Sequence, residues 1–221
     1  MAKFRGWPEA AFDLYARLTM DNTKTFWQAN RAVYDDAVRA PFEALSDLIE
    51  ADYGRLRLFR PHRDVRFSKD KSPYKTAAGA VTEGPDGTIY YVQVSADGLF
   101  VGSGYYHLAA DQLSRWREAV DDEKRGRAIA DVVAALAKRR LEIGAMDTLK
   151  TAPRGYPRDH PRVELLRMKG LTAGKSFPVA RWMQTPGVAE RIVSIWSACA
   201  PMNDWLARSV GPSTLAPPEP D

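Results

Sequence analysis

The sequence predicts an α+β fold in which an antiparallel β-meander is covered by helices from both ends of the chain. Apolar residues recur at helical spacing in the first third and again after residue 109. Between these regions, short segments rich in Val, Ile, Tyr and Phe are separated by two strong turn signals, and links this short favour antiparallel pairing. Because no repeat or change of composition interrupts residues 1–210, we predict a single domain there.

Three helices are predicted before residue 55. The first begins near Pro8 and ends at Asp21-Asn22, and the third begins at Pro41 and ends near Gly54. Asn22 or Thr23 caps the second helix. The side of the first helix that we expect to be buried consists of Phe12, Tyr15, Ala16 and Thr19. The corresponding side of the second helix consists of Phe26, Trp27, Asn30, Arg31, Tyr34 and Val38.

The rest of the chain is assigned from alternation, turn signals and helical spacing. Strands are predicted at 55–59, 75–83, 88–96 and 98–106, with turns at 84–87 and 97–98. Helices are predicted at 109–120, 125–140, around 161–169, 187–199 and 201–209, and a loop rich in Pro, Arg and Gly at 151–161. The Pro-rich segment 211–221 predicts a disordered tail.

Composition and motifs exclude several functional classes. Cys199 is the only cysteine, so no internal disulfide and no Cys-rich zinc site can form. His62, His107 and His160 lack metal-ligand spacing. The chain shows no P-loop, dinucleotide fingerprint or Ser-nucleophile motif, so we predict neither a metal nor a cofactor. Without an apolar signal or membrane-spanning run, we expect a soluble, cytoplasmic protein with no membrane partner.

Positive charge is concentrated in two segments, although the net charge is only +4. Residues 55–75 hold eight Lys or Arg against two Asp, and residues 138–175 hold ten against four Asp or Glu. The remaining segments are net acidic. If the two basic segments converge in space, they form an anion-attracting surface; otherwise each is a separate solvated surface.

The stretch 60–76 (RPHRDVRFSKDKSPYKT) is predicted to be extended and then to turn, because Pro61 disfavours helix. Extended geometry over 62–68 places Arg63 on one face with Val65 and Phe67. An arginine on that apolar face requires a buried acceptor. Asp64, Arg66 and Ser68 lie on the other face, where Asp64 and Arg66 either pair or frame a ligand. Residues 69–72 form a turn closed by Pro73, after which Tyr74 and Lys75 enter a strand.

Two further regions contain polar residues that fit either a site or a structural tie. Asn30 and Arg31 form a buried tie or a cleft wall, with Asp64 or Asp70 as the expected partner of Arg31. The loop 153–161 contains Arg154, Gly155, Tyr156, Arg158 and His160. It is either the second wall of the same site or a Pro-stiffened connector. His160 is the candidate for a group that titrates near neutral pH.

The stretch carries the pattern Arg60-x-x-Arg63-Asp64-x-Arg66-Phe67-x-x-Asp70-Lys71-x-x-Tyr74. Further matches are Asn30-Arg31 with Tyr34, Gly102, Gly104, Pro153-Arg154-Gly155-Tyr156, Asp159-His160-Pro161, Leu165-Leu166, Lys169 and Trp205-Leu206. Over roughly 4–208 the chain resembles the bacterial and fungal family grouped as domain of unknown function 2461. It departs from that family at Asp21-Asn22, where paired asparagines are usual, and at Phe26-Trp27, where Trp-Phe is usual. The resemblance implies a site at these positions and assigns no reaction.

Three functions therefore remain open. The first is a pocket for a small phosphate- or carboxylate-bearing molecule, either an enzyme or a sensor. Its predicted ligand-binding residues are Arg60, Arg63, Arg66, Lys71, Tyr74, Lys75, Arg154, Gly155, Tyr156, Asn30 and Arg31. The candidates for proton transfer are Asp64, Asp70 and His160. The second is a nucleic-acid-binding module in which Tyr74, Tyr90, Tyr105 and Tyr156 stack on bases. The third is a structural or partner-binding protein whose charged loops are scaffold.

Overall fold

The computed structural model describes residues 3–64, 66, 69–84 and 87–215. It contains a six-stranded antiparallel sheet with the strand order β1-β2-β3-β4-β6-β5. The strands are β1 (Arg57–Leu58), β2 (Ala77–Glu83), β3 (Ile89–Ser95), β4 (Gly98–Tyr105), β5 (Glu142–Gly144) and β6 (Leu171–Pro178). The α+β class and the antiparallel meander β2-β3-β4 are confirmed.

Helices precede and follow the meander, as predicted. Before it lie α1 (Glu9–Met20), α2 (Lys24–Ala29), α3 (Arg31–Val33), a π-helical turn (Tyr34–Arg39) and α4 (Ala40–Tyr53). After it lie α5 (Ala110–Asp121), α6 (Glu123–Lys138), α7 (Val163–Arg167), a 3₁₀ turn (Arg181–Gln184) and α8 (Gly187–Ser209). Within the described ranges, no helix is long and apolar enough to cross a membrane.

The described residues form two compact units, and each has its own core. The first unit comprises Met1–Thr82, Tyr90–Val101 and Ser176–Ser194. Its largest fully buried side chains are Trp7, Leu14, Tyr15, Leu18, Tyr34, Phe42 and Leu45. The Trp7 ring meets Phe42 edge-on at 5.0 Å between centroids, and the Trp7 amide donates to the Met183 carbonyl at 2.8 Å. These contacts attach the start of the chain to this core.

The second unit comprises Glu83–Ile89, Gly102–Lys175 and Ile195–Asp221. Its core centres on Trp116 and Trp205, whose rings meet edge-on at 5.7 Å. Both buried indoles are satisfied, because Trp116 Nε1 donates to the Leu165 carbonyl and Trp205 Nε1 donates to the Arg125 carbonyl, each at 3.1 Å. The expectation of one domain over 1–210 stays a prediction.

The buried side of α1 differs from the one predicted. Ala16 and Thr19 are exposed, whereas Leu18 is fully buried together with Phe12 and Tyr15. The buried stripe of α1 begins earlier along the helix than the predicted one. Ala16 and Thr19 fit the helical spacing, but their side chains offer little apolar surface to bury. The Thr19 hydroxyl donates to the Tyr15 carbonyl at 2.9 Å.

The second predicted helix is divided into α2, α3 and the π-helical turn. Thr23 caps α2 as predicted, accepting the Phe26 amide at 3.1 Å. Asn30 ends α2 because its side-chain Nδ2 donates to the Phe26 carbonyl at 2.8 Å and competes with the backbone pattern. Trp27, Asn30, Tyr34 and Val38 are buried as predicted, but Arg31 is exposed.

Two helices predicted on either side of Pro201 are one helix, α8. Pro201 removes one backbone donor, and the cost is offset because Cys199, Met202 and Leu206 on the same helix are fully buried. Strands β5 and β6 were not predicted. β6 (LTAGKSFP) contains Gly174 and Pro178 and few β-branched residues, so its sequence lacks the usual strand signal. Of the predicted strand 55–59, only Arg57–Leu58 is confirmed.

Part of the predicted tail forms hydrogen bonds to α5. Asp111 accepts from the Ser213 hydroxyl and the Thr214 amide, each at 2.8 Å. Arg115 Nη2 donates to the Pro212 carbonyl at 2.8 Å. Residues 216–221, the remainder of that predicted segment, lie outside the described residues.

Candidate functional site

The basic stretch doubles back on itself in the first unit. His62 and Tyr74 form an antiparallel bridge, the Arg63 amide donates to the Pro73 carbonyl at 2.9 Å, and the Lys75 amide donates to the Pro61 carbonyl at 2.8 Å. In antiparallel pairing, the residues on either side of a bridged pair point to the opposite face from that pair. Arg63 and Lys75 therefore project to one face, away from Tyr74.

Tyr74 anchors this hairpin to the helices. Tyr74 is 5% exposed, and its ring stacks on Trp27 at 4.6 Å between centroids with an interplanar angle of 15°. The ring of His62 lies 5.1 Å away, and the Asn22 side chain bonds the Tyr74 backbone. Tyr74 was predicted to bind the ligand, but the structure gives its ring contacts that fix the hairpin in place.

Asp70 organises the turn that follows. Its Oδ1 accepts the Ser72 amide at 2.9 Å and the Ser72 hydroxyl at 2.6 Å, and its Oδ2 accepts from Arg63 Nη1. These bonds to Ser72, and secondarily the nearby Arg63 charge, hold the pKa of the Asp70 carboxyl below its usual value. The acceptor of Arg63 was predicted to be buried, yet Asp70 is 49% exposed and Arg63 itself 27%. Val65 and Phe67, which define the predicted apolar face, lie outside the described residues, as does Ser68.

Asp64 and Arg66 pair with each other, which is one of the two arrangements predicted for them. Arg66 Nη2 donates to Asp64 Oδ2 at 2.9 Å, and the Arg66 amide donates to Asp64 Oδ1 at 3.1 Å. The side-chain and then the backbone hydrogen bonds from Arg66 lower the pKa of Asp64 to about 2. Both side chains are exposed. A carboxylate with so low a pKa is a weak proton acceptor at neutral pH.

Arg60, Arg63 and Lys75 form a cluster of like charges, which we call the cationic cluster. The pKa of the Lys75 ammonium lies below its usual value, first because partial burial disfavours the charged form and then because Arg60 and Arg63 lie nearby. Lys75 Nζ lies 5.3 Å from the Phe59 ring centroid. Among the described residues, neither Arg60 nor Lys75 forms an ion pair with a carboxylate. Lys71, in the adjoining turn, is exposed.

A cavity of about 460 Å³ shares Arg60 with this cluster and is also lined by Phe59, which Lys75 contacts. Its lining contains three cations, two acids, a serine and an apolar floor. The lining residues are Tyr34, Arg39, Phe42, Glu43, Ser46, Asp47, Arg55, Leu56, Leu58, Phe59, Arg60 and Pro61. The sequence predicts Arg60 as a site residue but does not point to the cavity residues that come from the π-helical turn and α4. The signal was present, because Arg39, Glu43, Ser46 and Asp47 recur at the spacing of one helix side.

Tyr34 forms the aromatic wall of this cavity. It is fully buried, its ring centroid lies 4.9 Å from that of Trp27, and the guanidiniums of Arg31 and Arg39 each lie 5.8 Å from its own. Burial raises the pKa of its hydroxyl, and the Arg39 and Arg31 charges oppose that rise. Arg31 Nε pairs with Asp35 at 2.9 Å, so its partner is neither Asp64 nor Asp70 as predicted. Asp35 is favoured as the partner because it lies one helical turn away and the pair needs no long-range contact.

The second basic segment lies in the second unit. Arg154 and Gly155 are exposed, and Gly155 has φ +90° with open space around it. Tyr156 packs partly buried against the core of that unit, and burial raises the pKa of its hydroxyl. Because Arg66 belongs to the first unit and Arg154 to the second, the convergence of the two basic segments stays a prediction.

His160 has both ring nitrogens engaged and is only 9% exposed at its side chain. Nδ1 accepts the Arg162 amide at 3.0 Å, so the proton of the neutral ring lies on Nε2, which is 3.2 Å from Asp121 Oδ1. Neither nitrogen is left for a substrate proton. This arrangement ties the loop to α5 and gives no support to His160 as an acid or base.

The chain matches a known protein family. A family model described as a conserved hypothetical protein (DUF2461) matches residues 10–205, which is nearly the whole chain. No curated protein and no solved structure matches the chain. The matched range contains the cationic cluster, the cavity and the loop with His160.

Proposed function

We propose, from the premise that this chain belongs to the DUF2461 family, that its first unit binds a small phosphate- or carboxylate-bearing molecule. The observation that carries this proposal is the cationic cluster. Partial burial and then the nearby Arg60 and Arg63 charges lower the pKa of Lys75, and within the described residues neither Arg60 nor Lys75 lies within ion-pair distance of a carboxylate. Like charges held together cost free energy, and a bound anion removes that cost.

The adjoining cavity suits a small ligand in size and chemistry. Its volume of about 460 Å³ falls in the range of small-molecule sites. Arg39, Arg55 and Arg60 supply donors for anionic oxygens, while Leu58 and Phe59 supply an apolar wall. Glu43 and Asp47 on the same lining disfavour a ligand whose charge is spread over its whole surface. A compact anion with an apolar or hydroxylated body fits this lining best.

The two alternatives receive less support. Stacking on bases needs accessible rings, but Tyr74 and Tyr105 are buried and Tyr90 packs edge-on against Tyr53 at 5.0 Å. A scaffold of ion pairs accounts for Arg63 with Asp70 and for Arg66 with Asp64. It does not account for Lys75, and it accounts for Arg60 only through the effect of its charge on Asp64 beyond ion-pair distance, so these two residues separate binding from scaffold.

Calorimetry and thermal unfolding with inorganic phosphate, a sugar phosphate, succinate and a short single-stranded oligonucleotide test the proposal. Ligand at a hundredfold excess over its dissociation constant adds about 2.7 kcal/mol to the free energy of unfolding. We expect a small anion to stabilise the wild type, and Arg60→Gln and Lys75→Gln to lose most of that shift. Lys69→Gln is the matched control, because it removes the same charge from an exposed position in the same stretch.

The pattern of losses decides between the functions. Equal binding by Arg60→Gln, Lys75→Gln and Lys69→Gln contradicts a site at the cationic cluster. Stabilisation by the oligonucleotide alone, with an affinity that falls steeply as the salt concentration rises, favours the hypothesis of a nucleic-acid-binding module. No stabilisation by any of the four compounds favours the scaffold.

A further inference from the structure

Lys75 differs from the other lysines of the basic stretch. Lys69 and Lys71 are exposed, whereas Lys75 is partly buried and its Nζ lies against the Phe59 ring. Its backbone is fixed by the hydrogen bond to Pro61, so the side chain starts from a set place in the hairpin. Phe59, which the amine contacts, and Arg60, whose charge acts on it, both line the cavity.

Two features of the surroundings, partial burial and neighbouring cations, favour the neutral and nucleophilic form of this amine. An ammonium next to other cations and partly removed from water gives up its proton more readily than a solvated one, and the neutral amine attacks carbonyl carbon. Partial burial lowers the pKa of Lys75 first, and the neighbouring Arg60 and Arg63 charges lower it further. Among the described side chains, no carboxylate pairs with Lys75 to hold it protonated.

We propose that Lys75 forms a Schiff base with small carbonyl compounds that carry a carboxylate or a phosphate. The inference rests on the proposed function, because Arg60 and Arg63 would hold the anionic group while Lys75 meets the carbonyl. It goes further by assigning a covalent step and a substrate class, namely 2-oxo acids or keto phosphates.

The step balances without an oxidant or a reductant. The lone pair of the neutral Lys75 Nζ attacks the carbonyl carbon, a carbon–nitrogen bond forms, and the carbonyl π electrons move to oxygen to give a carbinolamine. The carbon–oxygen bond then breaks, and the oxygen leaves as water with the two hydrogens of the original amine. The product is a neutral imine, which hydrolyses by the reverse path. The adjacent guanidiniums favour the anionic substrate and disfavour a second cation at the site.

Reductive trapping on the full-length protein tests this inference. The protein is incubated with pyruvate, dihydroxyacetone phosphate or the neutral ketone acetone, sodium borohydride is added, and adducts are located by peptide mass spectrometry. We expect labelling at Lys75 several-fold above Lys69 with the two anionic carbonyls, a loss of that labelling when inorganic phosphate competes, and little labelling by acetone.

Lys75→Arg is the matched variant, because it keeps the charge of the cluster and removes the primary amine. We expect it to lose the preferential adduct, and its phosphate affinity is measured beside that of the wild type. If this variant fails to fold, competitive acetylation of the wild-type lysines measures the same property, and Lys75 should react faster than Lys69 at neutral pH.

The outcomes separate this inference from the proposed function. Phosphate binding without preferential labelling of Lys75 overturns the Schiff base and leaves anion binding intact. Equal labelling by acetone and pyruvate overturns the role of the guanidiniums in choosing the substrate. Absence of both phosphate binding and labelling overturns both proposals.

Discussion

The side chain of Asn22 pairs with the backbone of Tyr74 in the manner of a strand neighbour. Asn22 Nδ2 donates to the Tyr74 carbonyl at 3.0 Å, and the Tyr74 amide donates to Asn22 Oδ1 at 3.1 Å. Asn22, which lies between α1 and α2, therefore satisfies both backbone groups of the residue that anchors the hairpin. The hairpin's position depends on this amide as well as on the stacking of Tyr74 against Trp27.

We expect Asn22→Asp to destabilise the protein more than Asp21→Asn. A carboxylate has no donor for the Tyr74 carbonyl, and an unsatisfied, partly buried carbonyl costs about 1–3 kcal/mol. Asp21 is exposed, so its isosteric change serves as the control. Urea unfolding at neutral pH measures both free energies, and equal midpoints for the two variants would show that the amide pairing contributes nothing.

Replacing Arg66 should raise the pKa of Asp64. The hydrogen bonds from Arg66 lower that pKa from 3.8 to about 2, so in Arg66→Ala we expect a midpoint well above the wild-type value. Because the folded-state pKa is depressed, the pair's contribution to stability is present above 3.8 and is lost as the pH falls towards about 2. Carboxyl-resolved NMR titration measures the midpoint. Lys69→Ala is the control, and an unchanged Asp64 midpoint in Arg66→Ala would show that the pair does not persist in solution.

Gly104→Ala should be far more damaging than Gly155→Ala. Both glycines have positive φ, +134° and +90°, which costs a non-glycine residue about 1–2 kcal/mol. A Cβ at Gly104 would also lie 2.2 Å from the Leu171 carbonyl oxygen, so backbone must move, whereas a Cβ at Gly155 meets nothing within 4 Å. Thermal unfolding compares the two, and similar melting temperatures would contradict the close approach at Gly104.

Arg162 should matter more for stability than Arg158 in the same basic segment. Its side chain is 10% exposed, Nε donates to the Val120 carbonyl at 2.7 Å, and Nη2 donates to the Asp121 carbonyl at 3.0 Å. These are end carbonyls of α5, which no helical amide can reach. We expect Arg162→Ala to cost at least about 1–3 kcal/mol, the price of one unpaired buried carbonyl.

Arg162→Lys tests the fork geometry, because lysine keeps the charge but cannot bond both carbonyls in one plane. We expect only partial rescue, measured by urea unfolding beside Arg158→Ala, whose side chain is exposed. Full rescue by lysine would show that charge alone stabilises the end of α5.

The elements with strong local signals were predictable from the sequence. The turn at Asp97-Gly98 and the alternation of β3 gave the meander, and Thr23 and Gly54 marked helix ends. Strand β6 was missed because its pairing with β5, Ile143 opposite Ala173, is a tertiary property that its own residues do not signal. The continuity of α8 through Pro201 was missed for the same reason, since packing outweighs one lost hydrogen bond.

The candidate site was predictable in charge but not in pairing. The excess of cations over 55–75 indicated an anion site, and Arg60, Arg63 and Lys75 lie together there. The sequence could not show which cations pair with a carboxylate, because pairs such as Arg66 with Asp64 depend on side-chain geometry. Arg39 was missed because the helical segments around it have an excess of acidic residues, and only the fold brings it to the cavity of Arg60.

The π-helical turn at Tyr34–Arg39 bears on how relatives of different length should be aligned. Such a turn holds one residue more than the α-helical turn it replaces, so a relative with a regular helix here should show a one-residue gap. Deleting that residue would rotate the following helix by about 100° against the preceding one. Arg39 and Glu43 would then turn away from the cavity while Trp27 kept its place. A single insertion or deletion in this stretch therefore distinguishes chains that build this cavity wall from chains that do not.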